Sequence, residues 1–214
     1  MHPLKGKKIL VTAGPTWVAL DDVRVISNVS SGELGMLLAK QAAACGARVD
    51  FFLGPVSRPW SGDRKIKIVR FAYFHELLRL VKRALKSKRY DVIIHSAAVS
   101  DYWTKPRQGK ISSDSTELVL KLKRAPKIVD IMRDLNPEAF LVMFKLEGGV
   151  SDVVLLKRAL EAMKRAGADL VVANRFVGKK YRGFILGARD VLAKTVSKKA
   201  LAQKLFSVLK ERVR

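Results

Sequence analysis

Short apolar runs alternate along the chain with longer segments in which apolar residues recur every three or four positions. The runs are of strand length and fall at Ile9–Thr12, Val49–Leu53, Ile66–Phe71, Val92–His95, Leu141–Phe144 and Leu170–Ala173. Between them, helical periodicity marks Leu34–Ala44, Phe74–Leu85, Pro126–Leu135 and Val153–Ala166. Continuous apolar strands separated by amphipathic helices predict a parallel sheet covered on both faces. The expected fold is therefore a single α/β, Rossmann-like domain over residues 1–214, with a mostly parallel sheet. Ligands of such sheets bind beyond the carboxyl ends of the strands.

Two stretches break the alternation. Residues 100–118 are polar and contain Pro106 and Gly109, which predicts a flap, and the alternating Leu118–Leu122 that follows predicts a strand. At the other end, Phe184–Val196 reads as two short strands joined near Gly187–Asp190, followed by an amphipathic helix over Lys198–Val213. Together these form a C-terminal extension of about 184–214.

Composition narrows the class. A chain of 214 residues with 49% hydrophobic and 29% charged content can bury a substantial core. No apolar run approaches the roughly eighteen residues of a membrane span. The N-terminus has no signal-peptide pattern, and the one cysteine, Cys45, forms no internal disulfide, so a cytoplasmic setting is expected. Cys45 sits late in an apolar helix and reads as a structural thiol. The formal charge of +23 draws anions: nucleotides, phosphorylated metabolites or nucleic acid. Its lysines and arginines gather on the helix ending near Arg89 and on the last segment up to Arg214. There they interleave with Leu and Val as the solvated faces of helices. Zinc-finger spacing and RNP-type aromatic motifs are missing, so the composition gives nucleic acid no specific partner role.

Arg24 to Gly35, reading Arg-Val-Ile-Ser-Asn-Val-Ser-Ser-Gly-Glu-Leu-Gly, carries the clearest chemistry. A Ser- and Gly-rich loop opening a helix offers free backbone N–H groups, hydroxyls and a positive dipole end, which together suit phosphate. The simpler reading is a helix N-cap at Ser30 or Ser31. In sequence Arg24 is far from any obvious acidic partner. The first turn, Thr12-Ala13-Gly14-Pro15-Thr16, lacks the dinucleotide glycine fingerprint, and no Walker motif occurs. His2, His75 and His95 share no metal-ligand spacing, and His95 reads as a hydrogen-bonded core histidine. Ser96–Tyr102 leaves a strand with Ala97 and Ala98, small enough for backbone to approach a ligand. Asp101 follows at the rim, placed to hold a metal or accept a hydrogen bond, or simply as an N-cap or turn aspartate. Gly109-Lys110-Ile111-Ser112-Ser113 places a lysine on the flap, suited to a triphosphate or simply to solvent.

In order along the chain stand Gly14-Pro15-Thr16, Ile26-Ser27-Asn28-x-Ser30-Ser31-Gly32-x-x-Gly35, Ala97–Tyr102, Gly109–Ser113 and Val172-Ala173-Asn174. In these motifs the chain resembles the phosphopantothenoylcysteine synthetases, from Lys8 to about Leu205, and looks like a stand-alone synthetase without the flavin-dependent decarboxylase half. The resemblance implies a ligase of coenzyme A biosynthesis. It would join 4′-phosphopantothenate to L-cysteine through an acyl-nucleotidylate, with CTP or ATP as co-substrate and Mg²⁺. By the same resemblance Gly14, Ser30, Gly32 and Gly35 would contact the nucleotide, with Phe144 and Asn174 flanking its base and ribose. Asn28, Ala97, Ala98 and Asp101 would line the pantothenate site. Asn28 would stabilise the acyl oxyanion and Lys110 the triphosphate. Arg24 would grip the substrate phosphate across a homodimer interface.

The chain also departs from the family pattern. Ser112 and Ser113 stand where bacterial members carry a second lysine, as in the archaeal and eukaryotic branches. Ala162–Gly167 lacks the usual lysine pair, leaving Lys164 or Arg165 as substitutes, and Arg175 stands where an acidic residue often follows Ala-Asn. Two other classes stay open on sequence: a nucleic-acid-binding Rossmann-like protein, and a nucleotide-binding family member without turnover.

Overall fold

The structure is a computed structural model that describes residues 3–57, 64–114 and 116–213. His2, Ser115 and Arg214 lie outside the described residues. In chain order the elements are β1 (Lys8–Ala13), β2 (Trp17–Ala19), β3 (Val25–Ser27), α1 (Glu33–Ala44), β4 (Arg48–Leu53), β5 (Ile66–Arg70), α2 (Phe74–Ser87), β6 (Val92–His95), β7 (Tyr102–Trp103), β8 (Lys123–Arg124), α3 (Ile128–Leu135), β9 (Phe140–Leu146), α4 (Asp152–Ala166), β10 (Leu170–Val177), β11 (Lys180–Leu186), β12 (Val191–Thr195) and α5 (Lys198–Arg212). The main sheet runs β5-β4-β1-β6-β9-β10-β11-β12. It is parallel from β5 through β10 and antiparallel across β10–β11–β12. The order reverses between β1 and β6, which creates the crevice that this class of sheet uses for ligands.

Each face of the sheet carries its own core. α1 and α5 pack Leu38, Ala42, Leu201, Leu205 and Phe206 against Ile9, Val11 and Phe51. α2, α3 and α4 pack Leu77, Val81, Met132, Leu155 and Met163 against Leu10, Ile93 and Leu141. Alternate residues of β1 therefore serve opposite cores, which explains the continuous apolar run. No helix is long and apolar enough to cross a membrane among the described residues.

The predicted strand over Leu118–Leu122 does not form. Pairing is confined to Lys123–Arg124 with Tyr102–Trp103, while Leu118 and Val119 stay exposed. The alternation was real, but no sheet face lies beneath it to bury the leucines. Lys127 is the extended N-cap of α3, so that helix starts at Ile128 rather than Pro126. The tail hairpin forms as β11 and β12 joined near Gly187–Asp190, but its first strand begins at Lys180 rather than Phe184, because β11 also pairs with β10 across a turn at Gly178. The β2–β3 hairpin was not foreseen, since every residue of β3 is exposed and so carries no burial signature.

Candidate active site

The phosphate-competent loop opens α1 at the switch point. Gly32 is the N-cap residue with φ +68°, and no side chain caps the helix. Ser30 Oγ accepts from Gly32 N–H and Ser31 Oγ from Glu33 N–H, both at 3.4 Å. These bonds are long, and they leave the next N–H groups of the first turn without a side-chain partner. The first helical bond is Met36 N–H to Gly32 C=O. Neither serine acts as the N-cap, and the free donors and dipole suit an anion. A Cβ on Gly35 would stand 2.2 Å from Ala13 Cβ and 2.8 Å from Ser96 Oγ. Only glycine lets α1 approach β1 and β6 so closely.

The second wall is the loop after β6. Thr12 Oγ1 lies 2.8 Å from His95 Nδ1, and Ser96 Oγ donates to Thr12 C=O at 2.7 Å. Burial lowers the His95 pKa to about 4, so its ring is neutral. It is the core histidine the sequence suggested. Thr16 Oγ1 accepts from Ser100 N–H at 2.9 Å, and Thr16 N–H and Ala98 N–H complete a bridge to the β1 side. Asn28 spans the two walls: its Nδ2 donates to Ala98 C=O at 3.1 Å and Val99 C=O at 3.2 Å.

Between these walls is a crevice of about 870 Å³ whose lining includes Asn28, Ser30, Gly32, Gly35, Ala97, Ala98, Asp101, Phe144 and Asn174. Most of the residues singled out in sequence therefore meet in one place, within the size range of small-molecule sites. Asn174 is buried and its Oδ1 has no hydrogen-bond partner, leaving an acceptor for a ligand amine or hydroxyl. Asp101 stands at a bend on the rim and caps no helix; it pairs with Lys127, and its carbonyl accepts from Ala125 N–H.

Sequence reasoning missed most of the crevice cations. Arg124, Lys127, Lys145, Arg158 and Lys198 line it, each hidden among similar residues in so basic a chain. Lys145 and Arg158 both pair with Glu147 at 3.1 Å. Against the opposing effect of burial, they hold its carboxyl below the usual range. Of the suggested substitutes for the missing lysine pair, Arg165 lines the crevice and Lys164 does not.

Gly14, Arg24 and Lys110 lie outside that lining. Gly14 packs its backbone against Gly54 instead. Arg24 does have an acidic partner: Asp21, three residues earlier, lies 3.6 Å from its guanidinium. The expectation of no partner overlooked how tightly this turn closes. Asp21 Oδ1 also accepts from Val23 and Arg24 N–H, and its Oδ2 from Ile111 N–H at 3.0 Å. These bonds, Ile111 first, hold the Asp21 carboxyl below its ordinary range. Asp22 Oδ2 accepts from Gly109 N–H at 2.9 Å. The flap is thus fastened to the β2–β3 hairpin, with Lys110 exposed between two anchored residues.

Among the described residues, no group of three His, Cys, Asp or Glu side chains could hold a metal ion. Cys45 is buried and its thiol pKa is raised by that burial, as fits a structural residue.

Comparison with known proteins identifies the family. The family model described as "DNA/pantothenate metabolism flavoprotein C-terminal domain" matches residues 4–213. The chain is 36% identical to the coenzyme A biosynthesis bifunctional protein CoaBC of Thermococcus kodakarensis, over 99% of this chain and 53% of that protein. With the CoaBC of Methanocaldococcus jannaschii it shares 30% identity over 98% of this chain and 52% of that protein. It thus spans about half the length of these curated relatives. A solved DNA/pantothenate metabolism flavoprotein from Streptococcus pneumoniae superposes with TM-score 0.86 at 27% identity, covering 96% of this chain and 99% of that one. A Cab2 mutant complexed with phosphopantothenate-cysteine shares the fold, with TM-score 0.79 at 20% identity over 96% of this chain and 87% of that one. A Rossmann-like sheet with its loops gathered at the β1/β6 switch point, matched over nearly its whole length, places this chain in the DNA/pantothenate metabolism flavoprotein C-terminal domain family.

Proposed function

We propose that this domain is the ligase that joins 4′-phosphopantothenate to L-cysteine in coenzyme A biosynthesis. The observation that carries the reading is the meeting of the Asn28–Gly35 loop, the Ala97–Asp101 loop and Asn174 in one crevice, within a chain that aligns end to end with half of CoaBC.

The reaction runs in two steps. A carboxylate oxygen of phosphopantothenate attacks the α-phosphorus of the nucleoside triphosphate, with which Mg²⁺ would enter; the P–O bond to pyrophosphate breaks and an acyl-nucleotidylate forms. The cysteine ammonium loses one proton to solvent and attacks the acyl carbon as the free amine, and its nitrogen releases a second proton to solvent as the amide forms. A tetrahedral oxyanion forms and collapses, expelling nucleoside monophosphate. Both reactants of the first step are anions, so their approach depends on surrounding positive charge. The free N–H groups at the start of α1, with Arg165 and the other crevice cations, suit that need. Lys110 would add its charge to the triphosphate once the Asp21 and Asp22 anchors on either side of it release the flap. Asn174 offers an acceptor that a cytosine or adenine amine satisfies equally, so it does not select CTP over ATP.

Asn28 is assigned to the second step. Its amide rests on the carbonyls of Ala98 and Val99, on the loop proposed to bind the acyl group. A developing oxyanion there draws one of its N–H donors away from a neutral carbonyl. A homodimer sharing two sites is part of the same proposal. Val23, Val25, Ile26 and Val29 flank Arg24 and are all exposed, an apolar rim that a second copy would cover. The test is pyrophosphate release with CTP or ATP, with and without each substrate. Release that requires phosphopantothenate, followed by product that requires cysteine, supports the ligase. Nucleotide binding without release in any combination rejects it.

A further inference from the structure

At the opposite end of the sheet from the crevice lies a second cavity, of about 330 Å³, beneath the amino ends of β1, β4 and β5. Among the described residues, the side chains of Lys8, Arg48, Arg64, Lys65, Lys67 and Lys88 line it together with the carboxylate of Asp50. The register explains how they converge. Lys8 stands directly across from Arg48, and Asp50 directly across from Lys67. Residues two apart on a strand share a face, so both rungs project from the same side of the sheet. α2 ends at Ser87, and the chain returns through Lys88 and Tyr90 to close the cavity.

Asp50 does not neutralise this group. Lys88 and the Tyr90 hydroxyl both donate to its Oδ2. Burial, then the Asp50 carboxylate, push the Tyr90 phenol pKa well up, so it stays a proton donor. Nearby Asp91 is turned to Lys7 and to the backbone N–H of Lys8. The Lys8/Arg48 rung thus sets like charges on adjacent parallel strands, a repulsion that a bound anion would relieve. The concavity suits a compact ligand rather than a long phosphate backbone, and the Arg48 and Arg64 guanidinium forks, with the Lys8 and Lys67 ammonium groups, suit phosphate oxygens.

We propose that this cavity is a second anion site, separate from the crevice, for a small ligand carrying two or three linked phosphates. Calorimetry with inorganic triphosphate tests it on the full chain. Wild type should show two binding events, one of them lost or weakened at least tenfold in Arg48→Ala/Lys67→Ala. The other event, and pyrophosphate release by the crevice, should stay within twofold. Triphosphate should also raise Tm more in wild type than in the variant. If the double variant does not fold, Lys8→Ala is read in the same way. A single event in wild type, or two unchanged events in the variant, overturns the site. Tighter binding of a thymidine oligonucleotide than of triphosphate, dependent on Arg48 and Lys67, overturns the assignment to a small ligand. Failure of the ligase assay leaves this test intact, because triphosphate binding at Arg48 and Lys67 is read without turnover.

Discussion

Replacing Asn28 by Asp separates the two halves of the proposed reaction. In the structure both hydrogen bonds from Asn28 Nδ2 are long, at 3.1 and 3.2 Å, and the side chain is exposed. Such bonds each contribute about 1 kcal/mol or less. Loss of the tie between the loops should therefore slow acyl-nucleotidylate formation by only about fivefold per kcal/mol. The second step is different. A carboxylate in place of the amide offers no donor to the oxyanion and adds a like charge. Loss of one such donor typically costs about 10²–10³ in rate, or about 3–4 kcal/mol. Asn28→Asp should accumulate the acyl-nucleotidylate and stall before ligation to cysteine. Rapid quench with chromatographic separation of intermediate and product measures both rates. Equal loss in both steps would refute the oxyanion role and leave Asn28 as a bracket between the two loops.

Lys110→Ala should slow pyrophosphate release by about a hundredfold, the scale of a lost charge contact to the transition state, without changing Tm; near-normal release makes Lys110 a surface residue. Gly35→Ala should cost about 1–3 kcal/mol or more in urea unfolding, because the new methyl collides with Ala13 and Ser96; unchanged stability would mean that α1 shifts freely. His95 has a folded pKa of about 4, below the unfolded value near 6.5. The unfolded chain therefore binds the proton first, and stability that is complete above pH ~6.5 falls as pH drops toward ~4, by about 3 kcal/mol in all. His95→Gln should remove that part of the pH dependence, and parallel curves for the two proteins would contradict the assignment. Light scattering should find a two-fold dimer at micromolar concentration, and Arg24→Ala should raise KM for the phosphorylated substrate; a strict monomer with full wild-type activity rejects the shared site.

The order of strands and helices was legible in sequence because it is written in burial. β1, β6 and the first part of β10 are buried throughout or nearly so, and α2 and α3 carry clear apolar stripes, so period alone identifies them. The Asn28–Gly35 and Ala97–Asp101 loops were legible for another reason: their small and polar residues suit phosphate chemistry wherever they stand. Elements without a buried face were not legible. The β3 strand is wholly exposed, and the Leu118–Leu122 alternation had no sheet to meet. Long-range neighbours were equally hidden. Pairing of the flap's Ile111 with the Asp21 carboxylate, the lodging of Asn28 on the Ala98 and Val99 carbonyls, and the Lys8/Arg48 rung all depend on register and loop closure. The sequence by itself determined which segments fold and what chemistry they carry. Which charges face one another was decided only when the sheet order brought residues far apart in the chain within a few ångströms.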